Sequence, residues 1–507
     1  MLLLASDPLV KHLRDMTQMS DTPFEYHSAT EWLDKLRTRQ IGAVELLQMQ
    51  LQRVAQHNPA LNVVVAQDAD HALAQARAAD NVRTPTGALH GLSMTIKDTW
   101  EVTGMPTTCG FPFLAQHRPT ADADAVARLK AAGAIVFGKT NTPVGAGDHQ
   151  SYNPVYGCSN NPWNIAHTVG GSSGGAAGAL AAGFTPLELG SDIGGSIRCP
   201  AHFCGVFGHK PSYGIVPMRG HIPAMPGALS SVELAVGGPM ARSAADLALA
   251  LDLLVAPSGQ DSTAWRIALP PARHERLADF RVALWLDAPG FGLDDTYRDA
   301  LLQFGEDLRR EGVTVVDGAR TVAPHIDAAA SHALYAEMLF AIIGTGMPPP
   351  EIERLRQAGQ GADAQSYAAW MARAVTLDHR GFDHLLEQRA HLMQAWQRVY
   401  TEVDLVLCPV MPTPAYPHDH SHDDLGALAQ QHRRVMVNGQ ARPYLDGLQW
   451  PGLATLAQLP ATALPLRQRV AGLPVGVQAM GPYLEDRTPL QFAQLVEQAL
   501  GGFQAPL

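Results

Sequence analysis

The 507-residue sequence has few charged residues, few cysteines, no basic region and no long apolar run. Only 17% of the residues are charged and 46% are apolar, a composition that excludes a disordered chain and can bury a large core. The formal net charge of -11 argues against nucleic-acid binding, because a nucleic-acid-binding surface needs a basic face. No stretch offers roughly 20 uninterrupted apolar residues, so we expect no membrane span.

The cysteines are too few and too scattered for a disulfide framework, which indicates a reducing compartment and predicts a cytoplasmic protein. They are Cys109, Cys158, Cys199, Cys204 and Cys408. Residues 1–25 lack the basic start and long apolar core of a signal peptide, and we predict that they form a disordered leader. Residues 26–507 are predicted to form a single domain.

Short apolar strands alternate with amphipathic helices along the chain. Residues 92–98 alternate apolar and polar side chains as a half-buried strand does, and residues 121–133 read as a helix followed by another strand. This alternation predicts an α/β fold, an α/β/α sandwich around a large mixed, mostly parallel sheet.

Two short motifs match well-known patterns in the wrong context. GAIVFGKT at residues 133–140 fits a phosphate-binding loop, but its middle reads as a strand and Asn-Thr-Pro follows where a helix should begin. Lys139 is therefore interpreted as a structural residue at a strand end. GGSSG at residues 170–174 fits the nucleophile elbow of α/β-hydrolases, yet the residues before it make a weak strand.

Two histidine-containing groups are candidate metal ligands that the spacing does not support. The spacing of Cys199, His202, Cys204 and His209 fits no common zinc site. We therefore expect these thiols to be buried and these histidines to be hydrogen-bonded within the protein. His418, His420 and His422 are predicted to lie in a solvated loop. We expect no bound metal.

Residues 170–201 are predicted to contain the catalytic serine and the groups around it. Two serine-glycine turns flank a helix of very small residues and a short strand, and this pairing is hard to explain as a linker. Ser196 follows a Gly-Gly pair at a predicted strand-to-helix turn. The backbone N–H groups of residues 193–196 can point into one concavity suited to an oxyanion.

These segments resemble the signature of the amidase signature family of serine hydrolases. The likeness covers most of the chain from about residue 30 and rests on GGSSGG, DIGGSIRCPAHFCGVFGHKPSYG, LHGLSMTIKD, FGKTNTP, GPMARSAADLALAL, DLVLCPV and GLPVGVQAMGP. It implies a signature core over about 60–255, a variable region over about 255–450 that shapes the substrate pocket, and a part over 451–507 that completes the sheet. His209 and Ser212 depart from the family's usual Leu and Thr.

The resemblance implies catalysis without metal or cofactor by Lys97, Ser172 and Ser196. Ser196 is the nucleophile, and Ser172, on a cis peptide, bridges it to Lys97. A free lysine has a pKa of about 10.4, so Lys97 must be desolvated to act as a base near neutrality. The implied oxyanion donors are the backbone N–H groups of Ile193, Gly194, Gly195 and Ser196. The implied supporting residues are Ser173, Asp192 and Arg198.

The expected activity is hydrolysis of the C–N bond of a small or medium amide, with carbamates (urethanes) and esters as further candidates. The chain looks closest to stand-alone bacterial amidases, including types that cleave anilides or urethanes. Met338, Phe340, Ile342 and Ile343 are compatible with an apolar acyl or aryl substrate and equally with core packing. A homo-oligomer is compatible with the sequence.

Two other functions stay open. One is the amidase subunit of a glutamine-dependent aminoacyl-tRNA amidotransferase, although that subunit usually has Arg-Val where this chain has Ile215-Val216. The other is a binding protein that keeps the fold without catalysis.

Overall fold

The computed structural model describes residues 23–506. Of the predicted leader, residues 1–22 lie outside the described part, whereas Phe24 is buried and begins a 3₁₀-helix over Phe24–Tyr26, so the predicted disorder does not extend to this end. Between residues 23 and 506, no helix has both the length and the apolar character needed to cross a bilayer.

Helices and short strands alternate through the described residues. The α-helices are α1 Ala29–Arg37, α2 Ala43–Leu61, α3 Ala69–Asp80, α4 Asp124–Ala131, α5 Gly174–Ala181, α6 Arg198–Cys204, α7 Ala244–Leu254, α8 Asp295–Arg310, α9 Gly318–Thr321, α10 Ala328–Gly344, α11 Pro349–Ala358, α12 Tyr367–Ala374, α13 His379–Glu402, α14 Ala429–His432, α15 Gln449–Leu456 and α16 Arg487–Leu500. The strands are β1 Val64–Gln67, β2 Ser93–Lys97, β3 Ile135–Thr140, β4 Tyr152–Asn153, β5 Gly157–Cys158, β6 Asn160–Asn161, β7 Asn164–Thr168, β8 Leu187–Asp192, β9 Phe207–Lys210, β10 Val236–Ala241, β11 Arg281–Leu284, β12 Thr314–Asp317, β13 Leu405–Pro409, β14 Arg434–Val437, β15 Gln440–Pro443, β16 Ala461–Val470 and β17 Leu473–Met480.

Several helices begin where the sequence supplies a side-chain cap. The side chain of Asp68 accepts a hydrogen bond from a backbone N–H in the first turn of α3, and that of Asp294 does the same for α8. Each cap satisfies one of the N–H groups that the first turn of a helix leaves without a partner. Both helices therefore begin at an Asp side chain that satisfies the first turn.

The central sheet has eight strands in the order β12-β11-β13-β17-β16-β9-β10-β8. It is mixed, as predicted, but its pairing is mainly antiparallel. The β12–β11 and β11–β13 neighbours run parallel, whereas every pair from β13 to β8 runs antiparallel. The predicted predominance of parallel strands is wrong.

A tight hairpin explains part of this difference. β16 and β17 are joined by Ala471 and Gly472, whose φ angles are 51° and 81°. Two consecutive positive φ angles form the turn that matches the twist of an antiparallel hairpin. The alternation of apolar segments does not distinguish such hairpins from helix-linked parallel strands, because the apolar pattern of a buried strand is the same in both.

Helices cover both faces of the central sheet. On one face, α7, α8 and α16 pack on side chains such as Leu407, Leu464 and Val475. On the other face, α5 and α6 pack near Ala463, and α13 and α15 pack near Val406. The predicted α/β/α arrangement is confirmed, and α5 and α6 bring the two serine-glycine turns to one face of the sheet.

A separate three-stranded sheet, ordered β1-β3-β2, carries Lys97 at the end of β2. The GAIVFGKT motif lies on β3 of this sheet and not on a loop. Lys139 Nζ lies 3.4 Å from a carboxylate oxygen of Asp98 and donates to the carbonyl of Trp100 at 2.6 Å. The interpretation of Lys139 as a structural residue is confirmed.

Candidate active site

The two serine-glycine turns contact each other. The N–H of Ser173 donates to the carbonyl oxygen of Ser196 at 3.0 Å, and the Ser173 hydroxyl donates to the carbonyl of Ser191 at 3.2 Å. The peptide between Gly171 and Ser172 is cis, as the resemblance implied. Ser173 therefore connects the turn before α5 to both the end of β8 and the turn before α6.

Lys97 reaches the same place from β2. Its Nζ is hydrogen-bonded to Ser172 Oγ at 2.7 Å and to Ser191 Oγ at 3.0 Å, and the side chain has no exposed surface. Burial lowers the pKa of Lys97 to about 7, although the acidic groups of Cys109 and Asp192 nearby oppose the shift. A large fraction of Lys97 is thus neutral at pH 7, held by two hydroxyl groups. Ser191 was not among the predicted site residues.

Asp192 organises the turn that carries Ser196. Its carboxylate accepts the N–H groups of Gly195 at 2.9 Å and Ile197 at 3.0 Å, and it is paired with the guanidinium of Arg198 at 2.9 and 3.1 Å. Burial alone would raise the pKa of Asp192, but the charge and hydrogen bonds of Arg198 lower it to about 2. Asp192 is therefore ionised and fixes the turn at both ends.

Arg198 joins this turn to the rest of the sandwich. It is fully buried and donates to the carbonyl of Pro451 at 2.9 Å, the side-chain oxygen of Gln478 at 2.8 Å and the hydroxyl of Thr455 at 2.9 Å. These partners lie on α15 and β17, so a single guanidinium positions the serine turn against two other elements.

Replacing Arg198 with Met is expected to lower the free energy of unfolding by about 3–5 kcal/mol, because it leaves the buried carboxylate of Asp192 without its charge partner. Urea denaturation measures this change. Arg276→Met removes an arginine from an exposed pair with Asp279 and is expected to leave the stability unchanged. Equal stabilities of the two variants would contradict the role given to Arg198.

The predicted oxyanion donors are not equivalent. The N–H of Gly195 is already bonded to Asp192, so it is occupied in this arrangement. The N–H groups of Ile193, Gly194 and Ser196 have no hydrogen-bond acceptor within residues 23–506. Gly195 has a φ of 97°, and a Cβ there would lie 2.8 Å from Pro451 Cβ, so this position requires glycine.

Two buried residues that sequence reasoning missed orient these peptide groups. The Tyr335 hydroxyl donates to the carbonyl of Ile193 at 2.7 Å, and His149 Nε2 is hydrogen-bonded to the carbonyl of Gly194 at 2.8 Å. The N–H of a trans peptide points away from its carbonyl, so Tyr335 fixes the direction of the Gly194 N–H. Tyr335 lies on a helix and His149 in an irregular segment, and neither position carries a sequence signal for this role.

The residues suggested as zinc ligands around α6 are structural, as expected. His202 is bonded through Nε2 to the carbonyl of Thr413 at 3.0 Å and accepts the N–H of Gly476 at 2.7 Å through Nδ1. Burial lowers the pKa of His202 to about 4, so the ring stays neutral. Cys199 and Cys204 are buried in the core cluster of α5 and α6.

Both departures from the family pattern share one buried partner, Asp486. His209 lies between Asp486 Oδ1 at 3.2 Å and the hydroxyl of Thr462 at 2.9 Å. The Ser212 hydroxyl donates to Asp486 Oδ2 at 2.6 Å. These contacts join the end of β9 to the start of α16 and do not involve Lys97 or the serine turns.

The prediction of a solvated loop over the three C-terminal histidines is wrong for two of them. His418 and His420 are half-buried, with ring nitrogens 3.5 and 3.8 Å from Cys158 Sγ, and only His422 is exposed. The sequence could not indicate this grouping, because Cys158 is about 260 residues away along the chain.

The apolar residues suggested as a substrate pocket mostly belong to the core. Met338 and Phe340 are buried in a cluster with Trp370, and Ile342 packs against this cluster. Ile343 is 39% exposed. Core packing accounts for these side chains.

Comparison with known proteins identifies the family. The family model described as Amidase matches residues 45–490. A glutamyl-tRNA(Gln) amidotransferase subunit of a Synechococcus species is 31% identical, with 92% of this chain and 95% of the relative covered. A bacterial aryl acylamidase structure of the amidase signature family superposes with a TM-score of 0.77 at 22% identity, covering 95% of this chain and 97% of that one. A structure described as an amidase is 28% identical, with a TM-score of 0.73, covering 94% and 100%. The chain belongs to the amidase signature family.

Proposed function

We propose that the protein hydrolyses a C–N amide bond through an acyl-enzyme on Ser196. The observation that carries this proposal is the hydrogen bond between the buried Lys97, whose pKa is lowered to about 7, and Ser172 Oγ at 2.7 Å. A neutral lysine bonded to a serine next to a second serine turn is an arrangement that can remove a hydroxyl proton at neutral pH.

The proton relay follows from these positions. Neutral Lys97 takes the proton of Ser172 while Ser172 takes that of Ser196, and Ser196 Oγ attacks the amide carbonyl carbon. This relay requires the two serine hydroxyls to meet when substrate is bound, since catalytic hydrogen bonds tighten in the substrate complex. The relay then returns the proton to the leaving nitrogen, and water cleaves the acyl ester.

The N–H groups of Ile193, Gly194 and Ser196, which have no acceptor within residues 23–506, would bind the oxygen that becomes negatively charged during the attack. Donors already aimed at that position need no rearrangement, and removal of one such donor typically costs about 10²–10³-fold in rate. The hydroxyl of Tyr335 holds the peptide that carries one of them. The oxyanion proposal thus excludes Gly195 and rests on the other three residues.

Two substrate classes fit this chemistry. The curated relatives favour glutamine, because their name describes part of an amidotransferase, and they support this reading more strongly than a stand-alone amidase. In such an assembly, hydrolysis of the glutamine side-chain amide would supply ammonia, with partner subunits acting on charged tRNA.

A small apolar amide or anilide is favoured by the surroundings of the serine turn. A methyl group at Gly194 would lie 3.0 Å from Leu448 Cδ2, and the apolar cluster of α10 and α12 continues from this point. A cavity of about 630 Å³ lies beside it, with His332 and Trp370 in a wall that is otherwise largely polar, so the cavity itself does not favour an apolar substrate. Its wall does not include Lys97, Ser172 or Ser196, so it adjoins the site without containing these groups.

Substrate profiling separates the two classes. The purified chain is assayed for ammonia from glutamine and for release of amine from aliphatic amides, anilides and carbamates, with Ser196→Ala as the blank. Glutaminase activity and co-purification of other subunits would support the amidotransferase reading. Turnover of anilides by the chain alone would support a stand-alone amidase. If the protein turns over none of these substrates and is not labelled by a sulfonyl fluoride, the proposal is overturned and a binding protein without catalysis is the remaining function.

A further inference from the structure

A cysteine and two histidines from distant segments meet beside the catalytic region and take no part in the proposed chemistry. Cys158 lies on β5, and His418 and His420 lie in the segment that follows β13. Cys158 Sγ is 3.5 Å from His418 Nδ1 and 3.8 Å from His420 Nε2, and all three atoms lie within 4.8 Å of one another. We propose that Cys158, His418 and His420 form a binding site for Zn²⁺.

The distances match a tetrahedral site. With Zn–S bonds of about 2.3 Å and Zn–N bonds of about 2.0–2.1 Å, the sulfur-to-nitrogen edge of a tetrahedron is about 3.6 Å. The observed separations of 3.5 and 3.8 Å differ from this edge by no more than a small side-chain adjustment. A thiolate with two imidazoles is a donor set typical of zinc, and it excludes the hard cations Ca²⁺ and Mg²⁺, which prefer oxygen.

The contacts behind the ligands hold the histidine rings in position. His418 Nε2 is hydrogen-bonded to the carbonyl of Ile165 at 3.3 Å, which places the proton on Nε2 and leaves the lone pair of Nδ1 toward Cys158. His420 stacks on the ring of Tyr152, with centroids 3.9 Å apart. Tyr152 is the strand partner of Cys158 across β4 and β5. Contacts of this kind, made to the ligand side chains and not to the metal, orient the ligands and raise metal affinity.

Zinc at this site would bridge the two chain segments that carry its ligands. Three protein ligands leave a fourth position for water, and the half-buried side chains allow solvent to reach it. Gln150 and Asp419 exchange two hydrogen bonds beside the cluster, at 2.8 and 2.9 Å. The segment of Gln150 also contains His149, which holds the carbonyl of Gly194. Zinc would therefore stabilise a segment that supports the serine turn.

Metal analysis of the full-length protein tests this proposal. The protein is dialysed against Zn²⁺ and then against buffer with a weak chelator, and zinc is counted by elemental analysis. We expect about one zinc per chain, a melting temperature that rises with Zn²⁺, and a thiolate-to-cobalt charge-transfer absorption with Co²⁺. Cys158→Ser and His420→Ala should each lose the zinc and the absorption, and His422→Ala, an exposed histidine of the same segment, should keep both.

Two results would overturn the site. One is wild-type protein that retains no zinc and gives no cobalt–thiolate absorption. The other is Cys158→Ser and His420→Ala proteins that bind zinc as the wild type does. Because the cobalt spectrum is measured on wild-type protein, a variant that fails to fold does not remove the test. These readouts do not depend on amide hydrolysis, so failure of the zinc site and failure of the proposed activity are distinguishable.

Discussion

Replacing Ser196 with Ala is expected to lower kcat/KM for every amide substrate by roughly 10⁴- to 10⁶-fold, the scale seen when a serine hydrolase loses its nucleophile. The remaining serine turn and amide donors can still bind substrate, but no oxygen is left to form the acyl-enzyme. The measurement is product release together with mass spectrometry after treatment with a sulfonyl fluoride. The wild type should gain one adduct on Ser196, and the variant none.

Ser331→Ala is the matched control. Ser331 is a buried serine on α10, and its hydroxyl has no hydrogen-bond partner within residues 23–506. Its loss removes the same atom from the interior without touching Lys97 or the serine turns, so labelling and turnover should stay near those of the wild type. An adduct of undiminished yield in Ser196→Ala would show that another residue is the nucleophile.

The pH dependence of kcat/KM is expected to follow the protonation of Lys97. Burial lowers its pKa to about 7, so it is charged below this pH and neutral above it. Only the neutral amine accepts a proton, so activity should fall about tenfold per pH unit below about 7 and level off above it. Lys97→Met should lower kcat/KM by at least about 10³-fold and remove this acidic limb, because the general base is gone.

Lys210 provides a discriminating control for this profile. It is a second fully buried lysine, and burial also lowers its pKa to about 7. Its Nζ donates to the carbonyl of Pro211 at 2.8 Å and, in the described part of the chain, to no serine. Lys210→Met should therefore keep the acidic limb of the profile even if the protein becomes less stable. A limb that vanishes in Lys210→Met and persists in Lys97→Met would contradict the assignment of the base.

The parts of the fold that follow local sequence rules were predictable. Helix α8 begins at the cap Asp294, and β2 lies within the predicted residues 92–98. The prediction that this strand is half-buried is wrong, because all five residues of β2 are buried. Strand direction was not predictable, because the Ala471–Gly472 turn shows its two positive φ angles only after folding. The side chains of a segment predict a strand, but they do not predict which strands lie beside it or in which direction those strands run.

Some residues of the candidate site were also predictable from the sequence, and others were not. Lys97, Ser172 and Ser196 lie in recognisable motifs, and the structure brings Lys97 against Ser172 as expected. Tyr335 and His149 act through a single hydrogen bond each to a backbone carbonyl, a contact that any hydroxyl or imidazole can make. No residue type or spacing marks such a contact in advance.

The hydrogen bond from Tyr335 to the carbonyl of Ile193 couples the position of α10 to the direction of the Gly194 N–H. Tyr335 lies on α10, one turn from His332 in the wall of the adjoining cavity. A substitution that enlarges this cavity by shifting α10 also rotates the peptide that carries the Gly194 N–H. If this cavity receives part of the substrate, variants that enlarge it through α10 are therefore expected to lose rate as they gain substrate range. Within residues 23–506, no backbone hydrogen bond joins β14 or β15, which also line this cavity, to residues 193–196, so substitutions on these strands avoid this conflict.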